Sequence, residues 1–182
     1  MLIDDNLAIF LATPLHFQIL NQQGRQAFAA FIGCSLAEDW PVFDDAPTQA
    51  LATFGKGGEP YWGSWIGIDL AQRSLIAFGG FGGAPDSQGR VLFGYAIARE
   101  WRGRGLGVRY ARLLTRIAFA DHRVRYLEAH TLADAVVCPE GFDNRASIAV
   151  LQRLRFVRTG EGEEDGMRTL IWNLSRADVI GS

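Results

Sequence analysis

Three apolar runs, WGSWIGIDL, SLIAFGGFGG and RVLFGYAIA, follow one another between residues 62 and 98. Only DLAQR and APDSQG, both of turn composition, separate them, so they pair most simply as an antiparallel meander. The third run does not end in another turn. It passes into EWRGRGLG at 100–107 and then into a stretch, Gly105 to about Ala120, whose apolar positions Val108, Ala111, Leu114, Ile117 and Ala118 keep one face of a helix. A sheet whose last meander strand feeds a glycine turn and a helix leaves few architectures open.

The flanking sequence extends this pattern. Leu7 to Leu11 reads as a strand ended by Thr13-Pro14, and Leu15 to Ile32 as one broken or two short helices, interrupted at Gly24. Residues 36–62 are less regular, with turns at Trp40-Pro41 and Pro47 and a short helix over Thr48 to Phe54. Beyond the glycine turn come a strand over Arg125 to Thr131 and a helix from about Asn144 with Ile148, Leu151 and Leu154 on one side. Strands near Phe156 to Thr159 and Met167 to Leu174 close the chain. The expected fold is α/β (α+β): a mixed, mostly antiparallel sheet of six to seven strands flanked by helices.

Length and composition fit one domain over residues 1–182, since 182 residues at 48% hydrophobic and 21% charged can bury one sizeable core. The net charge of −2 gives no global pull on nucleic acid, so any basic site must be local. Of 18 basic residues all but Lys56 are arginine, and Arg99, Arg102, Arg104, Arg109, Arg112 and Arg116 crowd the glycine turn and its helix. Cys34 and Cys138 are isolated and suggest neither a disulfide framework nor a metal site. The opening MLIDDNLAIF lacks a positive n-region and no apolar run approaches membrane-spanning length, so a cytoplasmic chain without a membrane partner is expected.

A helix start leaves four backbone amides without internal partners and carries about half a positive charge, so glycines that admit close approach make it an anion site. Two familiar phosphate loops are excluded: no lysine completes a Walker pattern, and Val108 stands at the third glycine position of G-x-G-x-x-G. What remains, Arg102-x-x-Gly105-x-Gly107, resembles the pyrophosphate signature [RQ]-x-x-G-x-[GA] of the GNAT superfamily of N-acetyltransferases. Three longer segments carry the same resemblance. FGYAIAREWRGRGLG and AFGGFGGAPDSQGRVLFGY look like the strand-to-loop segment and hairpin of the branch containing ribosomal-protein N-terminal acetyltransferases, and NRASIAVLQRLRF looks like its N-x-x-S-x-x-V-L-x-x-x-G-F helix. Together they cover roughly residues 75–175 in the family's order.

The resemblance implies splayed central strands near 91–98 and 125–131 with acetyl-CoA, the acyl donor, between them. It places pantetheine along Ala96, Ile97 and Ala98, and pyrophosphate on the amides of Gly103, Arg104, Gly105, Leu106 and Gly107, with Arg102 and Arg104 adding charge. It also implies a backbone amide near Ile97 for the oxyanion, Asn144 on pantetheine and Ser147 as a hydrogen-bond donor to the cofactor sulfur. The acceptor is a primary amine of a peptide N-terminus or small molecule; the number of subunits is left open. Read without the resemblance, Asn144 is a helix cap and Ser147 a first-turn residue bonded to local backbone.

Departures fall mostly on catalysis. Leu92 stands where relatives often carry a glutamate two residues before Gly-Tyr. Glu128 is taken as the alternative carboxylate, with His130 two residues on and so on the same strand face; a polar sheet face serves equally well as an account of the pair. Glu100 lies too near the turn to be a comfortable base. Arg155 replaces the glycine of the family helix end, and about ten residues around Val136 to Phe142 look inserted, as a lid or a passive surface loop. The stripe Arg109, Arg112, Arg116 reads as a solvated face. Trp40, Tyr61, Trp62 and Trp65 read as core, or as the wall of an acceptor pocket. Two functions remain: an acetyl-CoA-dependent N-acetyltransferase, and an acyl-CoA binding or sensing module with little turnover, for which Leu92 argues.

Overall fold

In the computed structural model, which describes residues 1–42, 59–132, 144–164 and 166–180, the described residues form nine strands and four helices. In chain order these are β1 (Leu2–Asp4), β2 (Leu7–Leu11), α1 (Pro14–Ile32), β3 (Ser35–Leu36), β4 (Ser64–Asp69), β5 (Ser74–Phe81) and β6 (Arg90–Ile97). They continue with α2 (Leu106–Ala120), β7 (Tyr126–Leu132), α3 (Asn144–Arg153), β8 (Val157–Glu164), β9 (Met167–Ser175) and α4 (Arg176–Ile180). The sheet order is β1-β2-β4-β5-β6-β7-β9-β8, with β3 paired to β5. The expected meander is β4-β5-β6, antiparallel throughout. The parallel contacts are β6 with β7 and the two-residue β3 with β5.

The two strands beyond the expected seven are β1 and β3, at three and two residues too short to give a period in sequence. The strand expected near Phe156 to Thr159 instead begins at Val157 and runs to Glu164. Its second half, Gly160 to Glu164, has poor strand propensity and is held by pairing to β9 rather than by its own preference. Phe156 stays outside the strand, and its ring stacks on Phe93 at 5.3 Å. In α1 the expected interruption is a kink, with Gly24 at φ 83°. The suggested helix over Thr48 to Phe54, the inserted segment around Val136 to Phe142 and Cys138 lie outside the described residues.

Strand alternation sorts the side chains to the two sheet faces. Phe93, Tyr95 and Ile97 face α2 and α3: Tyr95 lies against Tyr110 with ring centroids 6.5 Å apart, and Ile97 approaches Gly107. Phe78 points to the opposite face, where it meets Phe17 of α1 and Trp40. The core is continuous across both faces, from Leu7 through Tyr110 and Leu114 to Leu174. Each large apolar side chain taken fully out of water there contributes roughly 1.5–3 kcal/mol.

This sorting decides the aromatic cluster against a shared pocket. Trp40 is fully buried on the α1 side, stacked on Phe28 at 5.5 Å, with its Nε1 donating to Ala77 O. Tyr61 and Trp65 are on the α2 side: the Tyr61 hydroxyl donates to Ile117 O, and the Tyr110 hydroxyl to Trp65 O. Trp62, 1% exposed, packs on Phe81. Sheet and core separate Trp40 from the other three, so the four do not wall one cavity. No described helix is long and apolar enough to cross a membrane.

Candidate functional site

β6 and β7 are paired only at Arg90 with Tyr126, Val91 with Leu127, and Leu92 with Glu128. Beyond that vertex β6 continues to Ile97 beside β5, and β7 to Leu132 beside β9, with no pairing between them. The result is a slot open towards the C-terminal ends of both strands. Leu92 O accepts from Gly82 N, and Ala98 N donates to Ile76 O, so these residues turn their backbone towards β5. By alternation Phe93, Tyr95 and Ile97 turn theirs into the slot. Ile97 O agrees with this, since it accepts from Arg102 Nε at 2.9 Å, away from β5.

The glycine turn closes the open end. A 3-10 turn, Arg99–Trp101, follows β6, and Gly103 and Gly105 take φ of 76° and 75°, where an L side chain is strained. A Cβ built on either would meet no atom of the described residues within 4 Å, so they leave space over the turn. Arg109 N, donating to Gly105 O at 3.3 Å, makes the first helical bond, which leaves the amides of Leu106, Gly107 and Val108 without an intrahelical acceptor. Among the described residues no side chain caps this end, and no acidic residue occupies the first turn. Gly107 has another function: its missing Cβ would lie 3.3 Å from Val150 Cγ2, so it lets α3 approach α2 closely.

Arg102 and Arg104 fasten this turn. Arg102 bonds Ile97 O and lies 4.0 Å from Asp39, while Arg104 donates to Glu100 O at 2.9 Å and lies over Trp101. Asp39 also accepts from Arg99 N. The Glu100 carboxylate accepts from Glu38 N at 3.3 Å. Arg109 leaves the expected solvated stripe, since it pairs with Asp4 at 3.1 Å and Asp5 at 3.6 Å and ties β1 to α2. Arg112 and Arg116 are exposed.

Of the remaining site residues, Ala96, Ile97 and Ala98 are buried at the end of β6. Asn144 and Ser147 lie one helical turn apart at the start of α3, on the side that also buries Leu151. The Asn144 amide donates to Leu132 O, pinning α3 to the end of β7. Slot, turn and helix thus bring the cofactor residues of the sequence reading around one opening.

Glu128 lies elsewhere, at the vertex on the sheet face opposite α2. Its Oε1 accepts from Arg90 at 3.2 Å and contacts His130 Nε2 at 3.1 Å, while His130 Nδ1 bonds Glu164. Burial pushes the His130 pKa down, but hydrogen bonds and charge from Glu164 and Glu128 outweigh it and leave the value raised. Glu128 and His130 do share a face, as their spacing required. Sequence reasoning missed Glu164, which only the β8–β9 hairpin brings to His130, and Tyr95, whose buried hydroxyl has no hydrogen-bond partner among the described residues. Among the described residues no cluster could hold a metal ion.

A mixed sheet split between two parallel strands, with a helix start at the mouth of the split, is an arrangement that can admit an extended, phosphate-bearing ligand edge-on. The family profile described as acetyltransferase (GNAT) domain matches residues 12–157, and the chain belongs to that family. No curated protein sequence matches it. Solved structures share its fold. Ribosomal-protein-S5-alanine acetyltransferase from Vibrio fischeri is 14% identical, with 97% of each chain covered and a TM-score of 0.65. Spermidine N-acetyltransferase from Vibrio cholerae, in complex with CoA and spermine, is 14% identical over 97% of this chain and 99% of that one, with a TM-score of 0.65. The Salmonella typhimurium protein yncA, with its cofactor acetyl-CoA, is 15% identical over 94% of both chains, with a TM-score of 0.57.

Proposed function

We propose that the protein is an acetyl-CoA-dependent N-acetyltransferase that acetylates a primary amine, of a peptide N-terminus or a small molecule, by direct attack. The carrying observation is the slot between β6 and β7, which presents unpaired backbone of β6 and opens onto the glycine turn. The residues present fit the cofactor. A flexible amide-bearing arm can pair along the edge at Tyr95 and Ile97, and a pyrophosphate is complementary to the amides of Gly103 to Gly107. The guanidinium groups of Arg102 and Arg104 brace that turn and add positive charge beside it.

Acetyl-CoA supplies an activated acetyl thioester. A backbone amide of β6 near Ile97, held by the β5 ladder on the strand's other edge, is the donor for the carbonyl oxygen where negative charge develops. Ser147 is assigned as hydrogen-bond donor to the departing sulfur. Asn144 keeps its carbonyl oxygen for the pantetheine arm while its amide holds Leu132. Two observations favour the second reading, an acyl-CoA sensor: Leu92 replaces a carboxylate at the vertex, and Oε1 of Glu128 is already engaged by Arg90 and His130.

Calorimetry with acetyl-CoA and desulfo-CoA tests what both readings share, and absence of binding to either overturns both. A thiol-release screen over alkylamines and short peptides then separates them, because binding without turnover leaves only the sensor.

A further inference from the structure

The glycine turn has little of its own to hold it still. Gly103 and Gly105 sit at positive φ and bring no side chain to pack, and whatever freedom such a turn keeps is lost when a ligand orders it. Its support comes from a segment remote in sequence. Residues 37–40, which follow β3, are pinned to β5 at both ends: Ala37 N donates to Leu75 O and Trp40 Nε1 to Ala77 O, each at 3.0 Å. Arg25 of α1 adds bonds to Ala37 O at 2.8 Å and to Glu38 O at 3.0 Å. The same strand β5 holds the root of the turn, since Ile76 O accepts from Ala98 N.

Between this fixed segment and the turn, two carboxylates are exchanged. Both oxygens of Asp39 lie 3.1 Å from Arg99 N, the amide that opens the 3-10 turn. Glu100, one residue on, returns its Oε1 to Glu38 N at 3.3 Å. Each segment thus satisfies a backbone amide of the other, with bonds of the charge-assisted kind. Asp39 also stands 4.0 Å from the guanidinium of Arg102, whose Nε is committed to Ile97 O. One carboxylate therefore meets the turn at its first amide and at the arginine that folds it back on β6.

We propose that Asp39 is a positioning residue for the cofactor: with Glu100 it clasps residues 99–105 in the conformation that receives the pyrophosphate, acting through the turn and not on the ligand. This role rests on the acetyl-CoA reading of the turn. Isotope-labelled full-length protein is titrated with desulfo-CoA, and with pantetheine, which carries the arm without the pyrophosphate. Asp39→Ala should weaken desulfo-CoA about 10-fold, the usual effect of losing a hydrogen bond to a charged group, and leave pantetheine within about 2-fold. A substitution that merely loosened the fold would weaken both ligands alike.

Asp39→Asn, which keeps an oxygen for Arg99 N, should recover part of the loss. Combining Asp39→Ala with Glu100→Ala should cost less than the two single losses together, because opening one side of the clasp leaves the other less to hold. Where Asp39→Ala does not fold, Glu100→Ala carries the same comparison of the two ligands. Undiminished desulfo-CoA binding, equal losses for both ligands, an asparagine variant no better than alanine, or additive losses overturns the positioning role. No binding of desulfo-CoA to the wild type overturns the cofactor reading and this role with it, whereas wild-type binding with any of those results overturns the role alone.

Discussion

Gly105 combines a positive φ of 75° with open space where a side chain would project, which makes it the sharpest single-residue test of the cradle. Gly105→Ala adds only the backbone strain of an L-residue, roughly 1–2 kcal/mol of stability. Gly105→Glu adds a carboxylate over the amides of α2 as well. We expect the glutamate variant to lose CoA affinity by about 100-fold or more relative to the alanine variant, the effect of opposing charge-assisted hydrogen bonds; equal affinities by calorimetry would place the phosphates elsewhere. His130 gives a prediction of a different kind. Its folded pKa lies above the ordinary value of about 6.5, so the stability it contributes is complete below that pH and is lost as pH rises through the raised value. Urea melts of wild type and His130→Gln between about pH 5.5 and 8.5 should therefore converge on the alkaline side. A gap that widens with pH would mean the imidazole is held neutral.

Helix α2 meets α3 at Gly107, and the pair of elements carries both the amide cradle and Ser147. Gly107→Val forces Val150 away, since even a bare Cβ would lie 3.3 Å from it. Overpacking of this kind costs about 1–3 kcal/mol. Val150→Ala in the same chain should restore part of the stability and part of the CoA affinity in a double-mutant cycle; additive losses would mean that the two helices do not communicate through this contact. The same elements mark what sequence could reveal. Strand β6, the glycine turn and α2 were legible because their signals are local: period-two alternation, paired glycines and a 3.6-residue stripe. Strands β1 and β3 had no such signal, and the later half of β8 defied its own propensities because β9 imposes the pairing. Within the site, the turn residues were readable from spacing, whereas Glu164 comes beside His130 only through the β8–β9 hairpin. The four aromatic residues left core and pocket both open in sequence for a related reason, since composition does not say on which side of a sheet a ring will pack.

At the scale of the whole molecule the sheet is two parts joined by three residue pairs, with β2, β4 and β5 on one side of the vertex and β9 and β8 on the other. A ligand in the slot that pairs with the β6 edge and also touches α3, which is pinned to β7 through Asn144, adds contacts that bridge the parts. Two consequences separate slot binding from adventitious binding at the surface. Desulfo-CoA at about 100 times its Kd should stabilise the fold by roughly 2.7 kcal/mol, because it binds only the folded state. Hydrogen exchange should also slow selectively: the amides of Tyr95 and Ile97, which face the slot, gain protection, while Ala98 N, already bonded to Ile76 O, gains no more than the global stabilisation provides. If Ala98 and Ile97 slow by the same factor, the ligand stabilises the chain without lying along β6, and the edge-pairing account of the cofactor arm is wrong even though the protein binds CoA.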